Sequence, residues 1–278
     1  MSTDQIVIFG SNGILGSNLL ARMRTNFPNA AIILPSRSDV EAVHSAKFLK
    51  NISTQENLIL FYSHGPTDPQ LDLATHRKYH VDLPAEWNQY LSEYYHLTKF
   101  ITFGSIQESQ GDLIRQNRYL LSKNEWAERI EKTVANVSHV LLHTVYGRPI
   151  RSNSFIGQMA NALKEGVDFR MSDGNQSREY QNAEDVAEAV SKLADLTLYP
   201  TVGSFVVSHG QLISLREIAT GVFLHFGALD RLKLGALPTL LGDSSPPPAP
   251  DKVEVLPIPI RQTVEEIIQL LIREGIRG

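Results

Sequence analysis

Tyr119 stands four residues before Lys123 in NRYLLSK, residues 117 to 123. On a helix, side chains four apart project from one face, about one turn from each other, so a phenol and an ammonium at this spacing are neighbours. A free tyrosine has a pKa of about 10, and a nearby cation favours its phenolate and brings it toward working range as an acid or base. The same spacing also describes a half-buried tyrosine with a lysine snorkelling past it, so a third group is needed before the pair implies chemistry. Ser105, which closes the apolar run KFITFGS (99 to 105), is that group. It ends a strand, at the carboxyl edge of a sheet, where open α/β proteins bind ligands. Its hydroxyl is suited to orient a reacting oxygen, as a neutral oxyanion donor.

A second constellation lies at the start of the chain. GSNGILG carries Gly10, Gly13 and Gly16 between the apolar run QIVIF and a helical stretch. The first glycine suits a tight turn, the second a close backbone approach to pyrophosphate, and the third helix-to-strand packing, with the helix N-terminus facing the anion. Asn12, Ile14 and Leu15 fill the rest of this expected dinucleotide contact. The next apolar run ends in PSRSD, where Ser36 and Arg37 suit a 2′-phosphate and favour NADP(H) over NAD. Asp39 is the acid that NAD would require, should the strand run longer. NLILFYSHG ends in Ser63 and His64 beside the same expected cofactor. A structural or backbone-binding role is expected for His64, with proton transfer as the alternative.

The elements that must position these residues follow from periodicity. Apolar runs at 5 to 9, 30 to 35, 57 to 65, 99 to 105 and 138 to 147 alternate with helical or mixed polar stretches, as buried parallel strands joined by crossovers do. The expected fold is α/β, a Rossmann-like doubly wound parallel sheet with a smaller C-terminal substrate-binding domain. Residues 1–147 and 181–210 are assigned to the dinucleotide-binding part, and 148–180 and 211–278 to the substrate part. Helices are expected over 153 to 166, over 182 to 196 with Asn182 as N-cap, after the capping box of Ser214 and Glu217, and over 263 to 274. GDSSPPPAPDK (242 to 252) reads as loop.

With 278 residues and 42% hydrophobic content, the chain is long enough to bury a real core. A net charge of −4, without a basic stripe, argues against nucleic acid as a partner. There is no cysteine, which excludes disulfides, thiol nucleophiles and cysteine-bound zinc and suits a reducing compartment. The polar start MSTDQ does not read as a signal peptide, and no apolar run approaches membrane-spanning length. A cytoplasmic protein is expected. The nine histidines form no metal-ligand pattern, so no metal is expected.

In order and joint occurrence, GSNGILG, Ser105, YLLSK, VYGRP (145 to 149) and DGNQSREYQNAEDVAEAV (173 to 190) resemble the extended short-chain dehydrogenase/reductases. These are sugar-nucleotide epimerases, dehydratases and ketoreductases, and the resemblance covers nearly the whole chain. It implies that Tyr119 donates or accepts the proton, that Lys123 holds the nicotinamide ribose and lowers the tyrosine pKa, and that Ser105 hydrogen-bonds the reacting oxygen. Arg178 resembles the arginine that grips the pyrophosphate of a nucleoside-diphosphate sugar. Thr144 stands where the family often has asparagine, on the expected substrate side. Departures are the short interval from Ser105 to Tyr119, Leu141 in place of an arginine, and Gly104 in place of the serine's partner hydroxyl.

The function implied is reduction of a nucleoside-diphosphate 4-keto-6-deoxy sugar by NADPH. The alternatives are an NAD-dependent epimerase or dehydratase with the same triad, and a nucleotide-binding protein without chemistry. Dehydratases of the family add an acid pair beside the serine, whereas SIQES offers only Glu108. A homodimer is expected, because the helix bearing YLLSK offers Leu120, Leu121, Trp126 and Ile130, more apolar surface than one sheet contact covers.

Overall fold

A computed structural model describes residues 5–111, 114, 117–133, 136–200, 202–239 and 253–277. The expected loop at 242 to 252 lies outside the described residues. The strands, in chain order, are β1 Gln5–Phe9, β2 Ala31–Ile33, β3 Leu58–Tyr62, β4 Leu97–Ser105, β5 Val137–Leu142, β6 Thr144–Tyr146 and β7 Phe169–Arg170. They continue with β8 Ser177–Arg178, β9 Tyr180–Asn182, β10 Ser204–Ser208, β11 Ile213–Ser214, β12 Leu232–Lys233 and β13 Glu254–Pro257. The helices are α1 Ile14–Asn26, α2 Arg37–Val40, α3 Leu73–Arg77, α4 Leu83–Tyr94 and α5 Arg118–Thr133. After these come α6 Phe155–Glu165, α7 Ala183–Ser191, α8 Leu215–His225 and α9 Thr263–Arg273.

Seven strands form one parallel sheet in the order β13-β10-β5-β4-β3-β1-β2. Every residue of β1, β3 and β5 is buried, which is why these strands read as mainly apolar runs rather than alternating ones, with Gln5, Ser138 and His139 as buried polar members. The chain moves from β1 outward to β2 and then back to β3 on the other side of β1, so the order reverses between β1 and β3. Ligands of open α/β sheets bind outside the carboxyl ends at such a switch point. The glycine turn after β1 and Ser63-His64 after β3 flank it. One core lies on the sheet face that α1 and α7 cover, and a second holds Trp87, Leu91 and Trp126 from α4 and α5.

A third core gathers α6, α8 and α9. The helices after β6 begin within two residues of where they are expected. Ser154 caps α6, Asn182 caps α7, and Ser214 with Glu217 forms the capping box of α8. The segment 211–278 also gives the sheet its outer strand, since β13 pairs with β10. Leu120 and Trp126 of α5 are 5% and 2% exposed within the single chain, so they are not the uncovered surface from which a homodimer was expected.

Candidate active site

The glycine turn is tight because two glycines touch backbone. A Cβ on Gly10, whose φ is +77°, would lie 2.5 Å from the Ser63 carbonyl oxygen. On Gly16 it would lie 2.2 Å from the Gly10 carbonyl oxygen, so Gly16 packs beneath the turn and lines neither cavity described below. The Gly13 N–H donates to the Gly10 carbonyl at 2.9 Å. Helix α1 follows with no acid in its first turn, so its positive end is uncompensated. This cradle fits a dinucleotide pyrophosphate.

A cavity of about 640 Å³ opens from this turn and is lined by Gly10, Asn12, Gly13, Ser36, Arg37, Ser63 and His64. Burial holds the His64 imidazole below its usual range. Asp39 is bonded within its own segment. Its carboxylate accepts the Ser36 N–H at 3.2 Å, the Ser36 hydroxyl at 2.6 Å and the Lys47 N–H at 2.8 Å, closing the capping box of α2. These bonds, that from Ser36 foremost, hold it below the usual carboxylate range. Arg37 is exposed and donates to Glu41 at 3.0 Å and to the Tyr79 hydroxyl at 2.9 Å. The Tyr79 hydroxyl, then Arg37, holds the Glu41 carboxyl at about 2.

A second cavity of about 390 Å³ shares Gly13, Ser63 and His64 with the first. It brings Ser105, Tyr119, Lys123 and Thr144 to one wall system, with Ile14 and Leu15. The Lys123 Nζ donates to the Phe103 carbonyl at 2.7 Å and lies 5.8 Å from the Tyr119 ring centroid. Here the expectation of a lowered tyrosine pKa needs correction. Burial, and then the charge of Glu108, push Tyr119 up to about 12 against the opposing pull of Arg151. Burial also brings Lys123 down to about 8, with Glu108 opposing.

Several residues beside Tyr119 or on the cavity walls had no expected role. His76 and His80 set their rings against Tyr119, with centroids 5.9 and 5.4 Å away, and His80 Nδ1 lies 2.8 Å from the Ser122 hydroxyl. His80 reaches this place from a π-helical turn at Lys78–Asp82, and Gly65 makes room for it, since a Cβ there would lie 2.8 Å from its Nε2. Arg151, from the loop after β6, lines both cavities and is hydrogen-bonded to Thr67 across the cleft. Its place two residues after VYGRP was the one signal that could have singled it out. Arg178, by contrast, is half-buried on β8, donates to the Ser177 carbonyl at 2.9 Å and lines neither cavity. Among the described residues no helix is long and apolar enough to cross a membrane, and no group of side chains is arranged to hold a metal ion.

No family model matches the sequence, and no curated protein matches it. Solved structures do. A dTDP-4-dehydrorhamnose reductase from Clostridium acetobutylicum is 17% identical with a TM-score of 0.70, over 98% of this chain and 99% of that one. A dTDP-glucose 4,6-dehydratase from Streptomyces venezuelae, with NAD bound, is 12% identical with a TM-score of 0.72, over 98% and 97%. A UDP-N-acetylglucosamine 4-epimerase from Bacillus cereus is 15% identical with a TM-score of 0.66, over 99% and 98%. At such identities the likeness establishes the fold alone, a Rossmann-like α/β fold around a parallel sheet. It leaves the reaction to be argued from the site.

Proposed function

We propose that the chain is an NADPH-dependent reductase of a nucleoside-diphosphate 4-keto-6-deoxy sugar. The observation that carries this reading is the placing of Ser105, Tyr119 and Lys123 on the wall of one cavity that joins a second cavity lined by Ser36 and Arg37. A phenol is suited to give a proton to a carbonyl oxygen, and a guanidinium beside a hydroxyl suits the 2′-phosphate of the cofactor used for reduction. NADPH supplies the hydride that the carbonyl carbon receives.

The chain's own residues do the rest. The glycine turn and the N-terminus of α1 hold the pyrophosphate, and Ser36 and Arg37 select the 2′-phosphate. Lys123 holds the ribose and Ser105 hydrogen-bonds the carbonyl oxygen. Tyr119 gives its proton to that oxygen as the carbon gains hydride, so ketone and proton plus hydride balance to an alcohol. Thr144 faces the sugar, and Arg151 meets a phosphate at the seam of the two cavities.

The alternative, an NAD-dependent epimerase or dehydratase, draws support from neighbours solved with NAD. Against the dehydratase stands Glu108, which is buried behind the serine and lines neither cavity. The test is the fate of the cofactor. With a 4-keto-6-deoxy nucleotide sugar, NADPH absorbance should fall in proportion to product, and deuterium from labelled NADPH should end on the sugar carbon. Product without NADPH loss, from a protein purified with NAD bound, would put the epimerase reading in its place.

A further inference from the structure

Directly behind Ser105 runs a chain of hydrogen bonds that the proposed reaction does not use. Trp126 Nε1 donates to Thr102 Oγ1 at 3.1 Å, and Thr102 Oγ1 lies 2.9 Å from His139 Nδ1. His139 Nε2 lies 2.8 Å from Glu108 Oε1, and Glu108 Oε2 accepts the Ser105 N–H at 2.9 Å. All four side chains are buried.

The two ends of this chain fix where its protons lie. An indole N–H and a backbone N–H can only donate. Thr102 Oγ1 accepts from Trp126, so its own proton goes to His139 Nδ1. The one proton of the neutral imidazole is then on Nε2, facing Glu108. Glu108 receives an N–H at each oxygen, the pattern of an ionised carboxylate, which only accepts. With any other arrangement the Thr102 hydroxyl proton has no acceptor among the described residues, a state that burial penalises. Gly104 marks the space this arrangement takes. A Cβ there would lie 2.2 Å from Glu108 Oε2 and 2.5 Å from His139 Nε2.

We propose that Glu108 and His139 are positioning residues, an ionised carboxylate braced by a neutral imidazole, which fix the Ser105 peptide so that the serine hydroxyl donates into the cavity. The role given to the serine rests on the reductase reading. The Ser105 Oγ accepts the Gln107 N–H at 3.2 Å, and among the described residues its proton has no acceptor, which leaves it for a substrate oxygen. Trp126 sits on α5, three residues after Lys123, so the chain of bonds also ties the serine to the helix that carries Tyr119 and Lys123.

The buried charge has a second effect. Tyr119 is faced by Lys123 on its own helix, by Glu108 from the loop after β4, by Arg151 from the loop after β6, and by His76 and His80. Burial raises the phenol most, Glu108 adds to it and Arg151 opposes. The brace thereby helps to keep Tyr119 an acid.

Glu108→Gln offers one acceptor where two are needed, and no charge. For this variant kcat should fall about 10- to 100-fold, with the sugar KM and the NADPH affinity within about threefold of wild type. The basic limb of kcat should move to lower pH, because the phenolate of Tyr119 loses the anion that repels it. His139→Gln, which returns an N–H to Glu108, should keep kcat within about threefold, while His139→Leu should fall with Glu108→Gln. A folded Glu108→Gln protein with unchanged kcat and an unmoved basic limb overturns the proposal. The wild-type protein gives a reading without substrate or cofactor. Nitrogen spectra of isotope-labelled histidine, with His139 assigned through His139→Gln, should show it as the neutral Nε2–H tautomer at neutral and mildly alkaline pH. An Nδ1–H tautomer or an imidazolium there overturns the proposal even where the variants fail to fold. Should the wild-type chain consume no NADPH with keto sugars, the reductase reading fails, and the tautomer still decides the brace.

Discussion

Glu108 and Glu179 are both buried carboxylates with histidine neighbours, but they are provided for differently. Glu179 accepts the His209 N–H at 2.9 Å, the Gly210 N–H at 3.2 Å, the Ser208 hydroxyl at 2.8 Å and the Gln181 amide at 2.8 Å, with His143 Nε2 at 3.6 Å. Glu108 has two donors, the Ser105 N–H and the His139 ring. The first fastens the turn after β10 to β9, and its charge reaches His143 on the wall of the second cavity. The second is fixed at its edges only, and its charge reaches Tyr119 and Lys123. The two differ in what their charge acts upon, a histidine with no assigned role for Glu179 and the tyrosine and lysine of the triad for Glu108.

The largest expected effect tests what Glu108 acts upon. Tyr119→Phe should leave NADPH affinity within about threefold but lower turnover by roughly 10² to 10⁴, as removal of a general acid does. Adding Glu108→Gln to Tyr119→Phe should then shift the basic limb no further, since the group whose ionisation it opposes is gone. Steady-state kinetics across pH check both, and a full additive loss would separate Glu108 from the tyrosine.

Glu179→Ala should act on the other side of the comparison. It strands two backbone N–H groups and two side-chain donors, so unfolding free energy should drop by about 2 to 4 kcal/mol in chemical denaturation. Folded protein should keep its pH profile. A shift of the basic limb as large as that of Glu108→Gln would erase the distinction between the two carboxylates.

At the far end of the cleft, neither carboxylate takes part. Arg37→Ala should weaken NADPH by about one to two orders of magnitude in binding titrations and spare NADH. The loss should be the same in a Glu108→Gln background, as for sites with no shared partner. Equal weakening of both cofactors would make Arg37 a structural partner of Glu41 and Tyr79.

The contrast also explains what the sequence could and could not disclose. Strands β1, β3 and β5, the glycine turn and the caps at Asn182 and Ser214 were legible because each rests on local chemistry, apolar runs or a side chain bonding its own backbone. The gathering of Ser105, Tyr119 and Lys123 at one cavity followed from their places at a strand end and on one helix face. Glu108 paired with His139 was not legible, because they meet only through the pairing of β4 with β5, in which Thr102 lies opposite His139. His80 was hidden by the π-helical turn, which breaks the helical period used to assign faces. Asp39 was ambiguous for want of one boundary, settled by α2 starting at Arg37.

The smallest expected effect comes from acid. Burial alone would raise Glu179, but the Gln181 amide, the His143 ring, the His209 N–H and the Ser208 hydroxyl outweigh it and hold its carboxyl below the usual 4.5. A group whose folded pKa is depressed contributes stability that is fully present above the unfolded value and is lost as pH falls through the folded one. The contribution of Glu179 should therefore be intact at neutral pH and begin to fade below about 4.5, as protonation takes away the acceptor that four donors require. Glu179→Gln cannot titrate and should be the less stable protein at neutral pH. The gap in Tm between wild type and this variant should accordingly narrow as pH is lowered from 6 toward 3, at fixed ionic strength. A gap that stays constant across that range would mean that Glu179 is held by shape and not by charge, and the two buried carboxylates would then differ in kind rather than in the number of their donors.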